Sequence, residues 1–154
     1  MKKTLYMETT NIEVERTVAE IQLLLGQCGC CEVMTIFDKQ RQVSAVCFQI
    51  MFLEKMVPFR LPCRWEAIYG RLLKRRKNMM RKGAPEKLQE QAKRVAWRQI
   101  LRWVQAQLAL VDTDMVKVHE IFLPYVQTNI SGETLFQKIE NKGFQALEYT
   151  ANAN

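Results

Sequence analysis

The stretch from Pro85 to Val111 places the strongest constraint on the fold, because it is the longest uninterrupted helical pattern in the chain. At 100° per residue, one broad side of this helix is apolar and carries Ala92, Ala96, Trp97, Ile100, Trp103, Val104, Leu108 and Val111. A stripe of basic and amide residues, each within roughly 80° of Arg94, lies towards the opposite side: Lys87, Gln91, Arg94, Arg98, Arg102 and Gln105. The pattern predicts a helix that fills a small core with one face and offers a basic stripe with the other.

A first helix is predicted at about residues 11–27, where Val14, Val18 and Ile21 recur at helical spacing. Thr10 and Glu13 have the spacing of a capping box, in which two side chains satisfy free backbone N–H groups at the helix start.

Three strands follow, at residues 31–37, 43–53 and 57–61. Polar turns separate them, which predicts an antiparallel meander. Pro58 and Pro62 alternate with apolar residues in the last strand, and each removes one donor from a strand ladder, so we expect that strand at an edge.

The second half of the chain is mainly helical in pattern. Helices are predicted at residues 65–80, from Pro85 onward, within 115–123 and around Leu135 to Ile139. The end of the second helix, with its run of cations, has the pattern of a frayed end or a mobile loop. Strands followed by helices indicate an α+β fold: an N-terminal helix, a three-stranded antiparallel meander, and a mainly helical C-terminal half packed on the sheet.

Length predicts a single domain spanning residues 1–154, ordered over about 5–143, with 144–154 as a tail. No signal peptide or membrane-spanning apolar run is evident, so we expect a cytoplasmic protein without membrane contact. The small sheet with an exposed edge makes a homo-oligomer a reasonable expectation.

The net charge of +7 is unevenly distributed. Residues 60–102 contain 14 Lys and Arg against 3 Glu, a local charge of +11, whereas the rest holds 9 basic and 13 acidic residues, or −4. A basic middle on a mildly acidic chain favours a surface for a polyanion. The alternative is a solvated face whose cations only keep the protein in solution.

The candidate nucleic-acid contacts are the cations of this region. Two lie near the third strand, six lie in a predicted mobile arm at residues 74–82, and three lie on the helix stripe. In chain order they are Arg60, Arg64, Lys74, Arg75, Arg76, Lys77, Arg81, Lys82, Arg94, Arg98 and Arg102. Mobile cations suit phosphate contacts, which depend on salt and not on sequence. Three arginines on one helix are equally well explained by ion pairs with Glu13, Glu15 or Glu20 of the first helix.

The three tryptophans allow base stacking, but helical phase places Trp97 and Trp103 on the apolar side, where core packing is favoured. For Trp65, at a helix start, base stacking and core packing are more evenly favoured.

Signals of catalysis are nearly absent. His119 is the sole histidine, there is no glycine-rich phosphate loop or nucleophile motif, and carboxylates are sparse in the basic region. The five cysteines, Cys28, Cys30, Cys31, Cys47 and Cys63, are odd in number and are expected to be reduced thiols. We therefore expect no catalytic residue, no metal site and no cofactor.

The segments PFRLPCRWEAI, QAKRVAWRQILRWVQAQLALVDTDMV and HEIFLPYV resemble a family of small uncharacterised proteins of tailed bacteriophages and prophages. The resemblance covers about residues 5–140, and KRVAWRQILRWVQAQLAL is its most specific part. The cysteines at 28–31 and the KRRK run depart from it. It implies a phage-derived cytoplasmic context and carries over no catalytic residue.

Two hypotheses follow from the sequence. The first is a non-catalytic accessory protein that binds DNA through the basic arm and the helix stripe. The second is a protein-interaction module, such as an inhibitor of a host protein or an oligomeric scaffold, whose stripe meets acidic protein residues. An enzyme of unrecognised type is a third and weaker alternative.

Overall fold

The computed structural model describes residues 4–78 and 84–147. Its helices and strands, in chain order, are α1 (Val14–Gln27), β1 (Cys31–Phe37), β2 (Val43–Phe52), β3 (Lys55–Pro62), α2 (Trp65–Asn78), α3 (Pro85–Asp112), α4 (Val118–Phe122) and α5 (Leu135–Asn141). Single 3-10 turns follow α4 and α5 at Leu123–Tyr125 and Gln145–Leu147. This order confirms the predicted α+β fold, with a helix first, a three-stranded antiparallel sheet next and a mainly helical second half.

The sheet has the order β1-β2-β3, and both pairs of strands are antiparallel. Phe48 of β2 lies opposite Phe59 of β3, and Val46 lies opposite Leu61. Since side chains alternate across a strand, these residues share one face of the sheet. That inner face packs against α1 and α3, and the core forms between them.

Aromatic rings fill the centre of this core. Phe48 stacks on Phe59 with ring centroids 5.3 Å apart, and the edge of Phe122 meets Phe48 at 5.0 Å. Trp97 of α3 is 1% exposed. Trp97, Val104 and Leu108 of the apolar side predicted for the long helix belong to this core, and Trp97 has the predicted packing role.

The long helix begins as the sequence suggests. Ala84 is the N-cap, Pro85 occupies the first turn, where its missing N–H costs nothing, and Glu86 lies near the positive end of the helix dipole. Residues 79–83, which precede it, lie outside the described part of the chain.

The start of α1 differs from the prediction. The helix begins at Val14, and its N-cap, Glu13, makes no side-chain cap hydrogen bond. The Thr10 hydroxyl accepts from the backbone N–H of Ile12 at 3.3 Å. The predicted capping box is wrong because the Glu13 carboxylate contacts Arg94 of α3 instead.

The edges of the sheet also differ in part from the prediction. Backbone pairing continues past β3, because Phe59 forms a bridge with Val126 and Gln127 N–H donates to Pro58 O at 2.8 Å. The predicted edge strand is thus partly covered. β1 carries the other edge, and its register against β2 shifts at two places. Such bulges discourage pairing with a further strand.

Two further predictions concern the end of α2 and the C-terminal tail. The residues Lys74 to Lys77 belong to α2 and do not form the mobile segment that the charge run suggested. In the predicted tail, Gln145–Leu147 form a 3-10 turn, and residues 148–154 lie outside the described part of the chain. Among the described residues, no helix has the length and apolar character to cross a membrane.

Candidate nucleic-acid interface

The basic stripe of α3 lies against α1, which runs beside it in the same direction. Arg94 Nη2 is 2.8 Å from Glu13 Oε1. Arg98 Nη1 is 3.2 Å from Glu20 Oε1 and donates to Thr17 Oγ1 at 3.3 Å. Two of the three arginines therefore form the ion pairs with α1 that were the alternative to nucleic-acid contact. We call this contact the α1–α3 seam.

The two pairs of the seam differ in burial. The Arg98 side chain is 6% exposed, and its Nε is buried with no hydrogen-bond partner among the described residues. Glu13, in contrast, is 64% exposed, and such a pair contributes at most about 1 kcal/mol. Removing a charge from water costs several kcal/mol, so Arg98 depends on Glu20 and the buried Thr17 hydroxyl to offset its desolvation.

The amides near the stripe hold the N-terminal segment against α3. Gln91 Nε2 donates to the backbone oxygens of Glu8 and Thr10 at 2.8 and 3.0 Å, and Gln99 Nε2 donates to that of Tyr6 at 2.8 Å. The Glu8 carboxylate pairs with Arg75 of α2. Sequence reasoning missed this contact. Its only signal was a pair of amides on a helix face whose partner lies more than 80 residues away in the sequence.

Six described cations of residues 60–102 are exposed, and three of them lie on α2. Arg71, Lys74 and Lys77 are exposed and recur every three residues, so they follow one side of the helix with a rise of ~4.5 Å per step. No carboxylate of the described residues lies within 4.0 Å of their charged groups. We call these three residues the α2 basic face. Arg71 was absent from the sequence-based set, although its spacing from Lys74 could have included it.

The other candidate cations are dispersed. Arg64 is exposed just before α2, and Arg76 is half-buried. Arg102 is exposed on α3 and donates to Gln105 Oε1 at 2.9 Å. Arg81 and Lys82 lie outside the described residues.

Arg60 lies apart from the α2 basic face. Its guanidinium covers Gly132, where an added Cβ would lie 2.6 Å from Arg60 Nη1. Glu133 and Glu140 line the same depression. Two carboxylates beside Arg60 make this region unfavourable for a polyanion.

Two of the tryptophans are only half-buried. Trp103 packs edge-to-face on Phe122 and Tyr125, with centroids 5.7 and 5.6 Å apart. Lys93 Nζ lies over the Trp65 ring, 4.8 Å from its centre, in a cation–π contact. Both rings thus have intramolecular partners, and Trp103 also lines a groove between α2 and α3.

The cysteines are free thiols. Cys28 and Cys31 are three residues apart, the spacing of many redox-active pairs, but they follow the end of α1 and not the start of a helix, where the dipole would favour a thiolate. Burial, and secondarily Asp112, raise the pKa of Cys28. Burial also raises the pKa of Cys30 and of Cys63 to about 12. These three groups are therefore held as neutral thiols.

The described residues contain no cluster of three or more His, Cys, Asp or Glu with the geometry to hold a metal ion. His119 packs against Phe52, with ring centroids 4.6 Å apart. What the arrangement offers chemically is a line of exposed cations beside a groove.

The α1–α3 seam predicts unequal effects of two substitutions on α1. Glu20→Ala leaves the buried Arg98 without its counter-ion and should reduce the free energy of unfolding by about 1–3 kcal/mol. Glu13→Ala, at the exposed pair, should cost less than about 1 kcal/mol. Urea unfolding followed by circular dichroism measures both. Equally small losses would show that water reaches Arg98 and that the seam is not desolvated.

Burial of the thiols predicts the order in which they react. In the native protein, iodoacetamide should modify the exposed Cys31 first, and Cys30 and Cys63 only after unfolding in guanidinium, as peptide mass spectrometry would measure. The folded-state pKa of Cys30 and Cys63 lies above the ordinary value of 9.0, so their stabilising contribution is full below pH 9.0 and is lost as the pH rises towards 12. Early modification of Cys63 at neutral pH would contradict its burial.

Comparison with known protein families, with curated proteins and with solved structures finds no match to this chain. The resemblance to phage proteins therefore stays a prediction.

Proposed function

We propose that the chain is a non-catalytic, cytoplasmic accessory protein of phage type that binds nucleic acid, specifically DNA, through the α2 basic face. The observation that carries the proposal is the line of Arg71, Lys74 and Lys77, exposed and without an ion-pair partner among the described residues.

The intramolecular ion pairs restrict the proposed surface. Arg75, Arg94 and Arg98 are engaged by Glu8, Glu13 and Glu20, so these arginines contribute little net charge to an outside partner. The excess charge of the basic region is therefore concentrated on α2, with Arg64 at its start. A polyanion is attracted to such a concentration, and each phosphate contact that replaces a condensed counter-ion adds to the affinity.

The chemistry of the α2 basic face matches phosphate contact more closely than recognition of base edges. Lys and Arg side chains on one exposed helix side reach phosphates through flexible stems, which positions a nucleic acid without reading its sequence. The proposal therefore includes strong salt dependence and little sequence specificity. The resemblance to phage proteins gives a setting in which handling DNA during replication or recombination is a natural role.

A charge-reversal variant tests the proposal. The triple change Arg71→Glu, Lys74→Glu and Lys77→Glu should weaken binding to a labelled DNA oligonucleotide at least tenfold at about 50 mM salt, because three phosphate contacts become repulsions. Fluorescence anisotropy measures the affinity. Binding by the native protein should also decrease by orders of magnitude between about 50 and 200 mM salt.

The matched control changes the same amount of charge elsewhere. Lys39, Lys55 and Lys138 are exposed on the β1–β2 turn, at the start of β3 and on α5. Their triple change to Glu should weaken binding much less than the α2 variant. Equal losses in the two variants would mean that only net charge matters, and unchanged affinity in the α2 variant would contradict the proposal.

A second candidate function, self-association, rests on the outer face of the sheet. Met34, Met51 and Met56 are exposed there, on the face opposite α1 and α3. A second copy is the occupant we infer for this face, because an apolar patch on one chain complements the same patch on another about a two-fold axis.

Light scattering tests this candidate. The native protein should have the mass of a dimer at concentrations of about 100 µM, and Met51→Lys should reduce it to that of a monomer because a buried ammonium is unfavourable. Met115→Lys, at an exposed position after α3, is the control and should leave the dimer intact. A monomeric native protein would eliminate the candidate.

A further inference from the structure

A groove lies between α2, α3, the end of β3 and the segment that follows α4. Its volume is about 660 Å³, within the range of ~300–1,000 Å³ that is typical of ligand sites. Ile68 of α2 and Ile100 of α3 form its sides, and Trp103, Tyr125 and Phe136 add aromatic surface. The groove is thus open, mostly apolar and partly aromatic.

The charge on the lining of the groove is positive. Among the described residues that line it, Arg64 is the one charged residue, and none carries a carboxylate. Ala67 lies on its rim, and Arg71 of the α2 basic face is one helical turn further along the same helix. The neighbouring depression beside Arg60 is lined by Glu133 and Glu140 instead. A ligand that combines apolar, planar groups with negative charge is therefore complementary to the first of these two sites.

The aromatic surface suits a planar ring. Trp103 and Tyr125 are half-buried, and their planes meet at 62° with centroids 5.6 Å apart, so the two rings form a corner of the groove. Nucleobases stack on aromatic side chains in sites for single-stranded nucleic acid, where a cationic surface follows the backbone. The groove and the α2 basic face supply these two components side by side.

Polar groups are few, which limits how a base can be read. Gln99 lines the groove, but its Nε2 already donates to the Tyr6 carbonyl oxygen at 2.8 Å. The Thr134 hydroxyl contacts Gln137 Oε1 at 3.2 Å. Contact therefore depends on stacking and apolar surface, which every base offers, and sequence preference is expected to be small.

We propose that this groove takes unstacked bases of single-stranded nucleic acid whose phosphates lie along Arg64 and the α2 basic face. This inference rests on the proposed function and specifies its ligand as single-stranded nucleic acid. Bases within a duplex are stacked on one another and cannot enter the groove. Single-stranded DNA is therefore preferred over duplex DNA.

Three probes of equal length separate the contributions. They are a single-stranded oligo-dT, an abasic single strand with the same number of phosphates, and a duplex. The native protein should bind oligo-dT at least about tenfold more tightly than the abasic strand, because only the former has bases to stack. The duplex should bind more weakly than oligo-dT at the same salt concentration.

A matched pair of variants locates the effect in the groove. Ala67 is exposed on the groove rim, so Ala67→Glu introduces a carboxylate there at a helix position that tolerates it. This variant should bind oligo-dT about as weakly as the native protein binds the abasic strand. Ala106→Glu, at an exposed position of α3 outside the groove, makes the same charge change and should keep most of the preference.

A second variant tests stacking without a charge change. Tyr125→Ala removes one aromatic wall and should lower the preference for oligo-dT over the abasic strand, while circular dichroism confirms that the variant is folded. Retention of the full preference in both Ala67→Glu and Tyr125→Ala would overturn the assignment of the groove.

The failure of this inference differs from the failure of the proposed function. Salt-sensitive binding of all three probes with equal affinity would overturn the groove assignment and leave the α2 basic face as a phosphate-binding surface. Absence of binding to any probe at about 50 mM salt would overturn both. Binding of an acidic apolar peptide that Ala67→Glu abolishes, without nucleic-acid binding, would assign the groove to a protein partner and overturn the proposal.

Discussion

The rest of the structure depends on how α3 is held on its two sides. Its apolar side packs on the sheet around Trp97 and Leu101, both essentially buried. The adjoining side, which faces α1, carries Arg98, a buried cation whose charge is offset by Glu20 and by the Thr17 hydroxyl. A buried charge is costly unless its partners are correctly placed, so this contact favours a single position of α1 along α3. The position of α1 in turn covers the inner face of the sheet.

The same contacts explain why the proposed binding surface lies on α2. The α1–α3 seam and the N-terminal segment neutralise the part of the basic region closest to the core. Among the described residues, the cations that stay exposed include the α2 basic face and Arg64, which lies next to the apolar groove. A charge count over residues 60–102 is therefore a poor guide to the potential that a ligand meets, because neutralised and exposed cations contribute equally to the count.

The fold was predictable where one local pattern determined the outcome. The α3 periodicity, the proline at its start and the alternation within β2 each gave an element close to the observed one. The start of α1 was not predictable, because Glu13 can cap its own helix or pair with Arg94, and the choice depends on a helix 81 residues away. The mobile-loop interpretation of residues 74–77 was wrong for a similar reason. Arg75 contacts Glu8, and α2 packs against α3, so the run remains helical.

The sequence by itself determined the elements, the α+β class and the apolar side of the long helix, since these follow from periodicity and backbone chemistry within short stretches. It also determined that positive charge is concentrated in the middle of the chain. Only the tertiary structure decided which cations are neutralised, because ion pairing depends on distances between helices that are remote in sequence. The groove likewise exists only in the tertiary structure, because its walls come from β3, α2, α3 and the segment after α4.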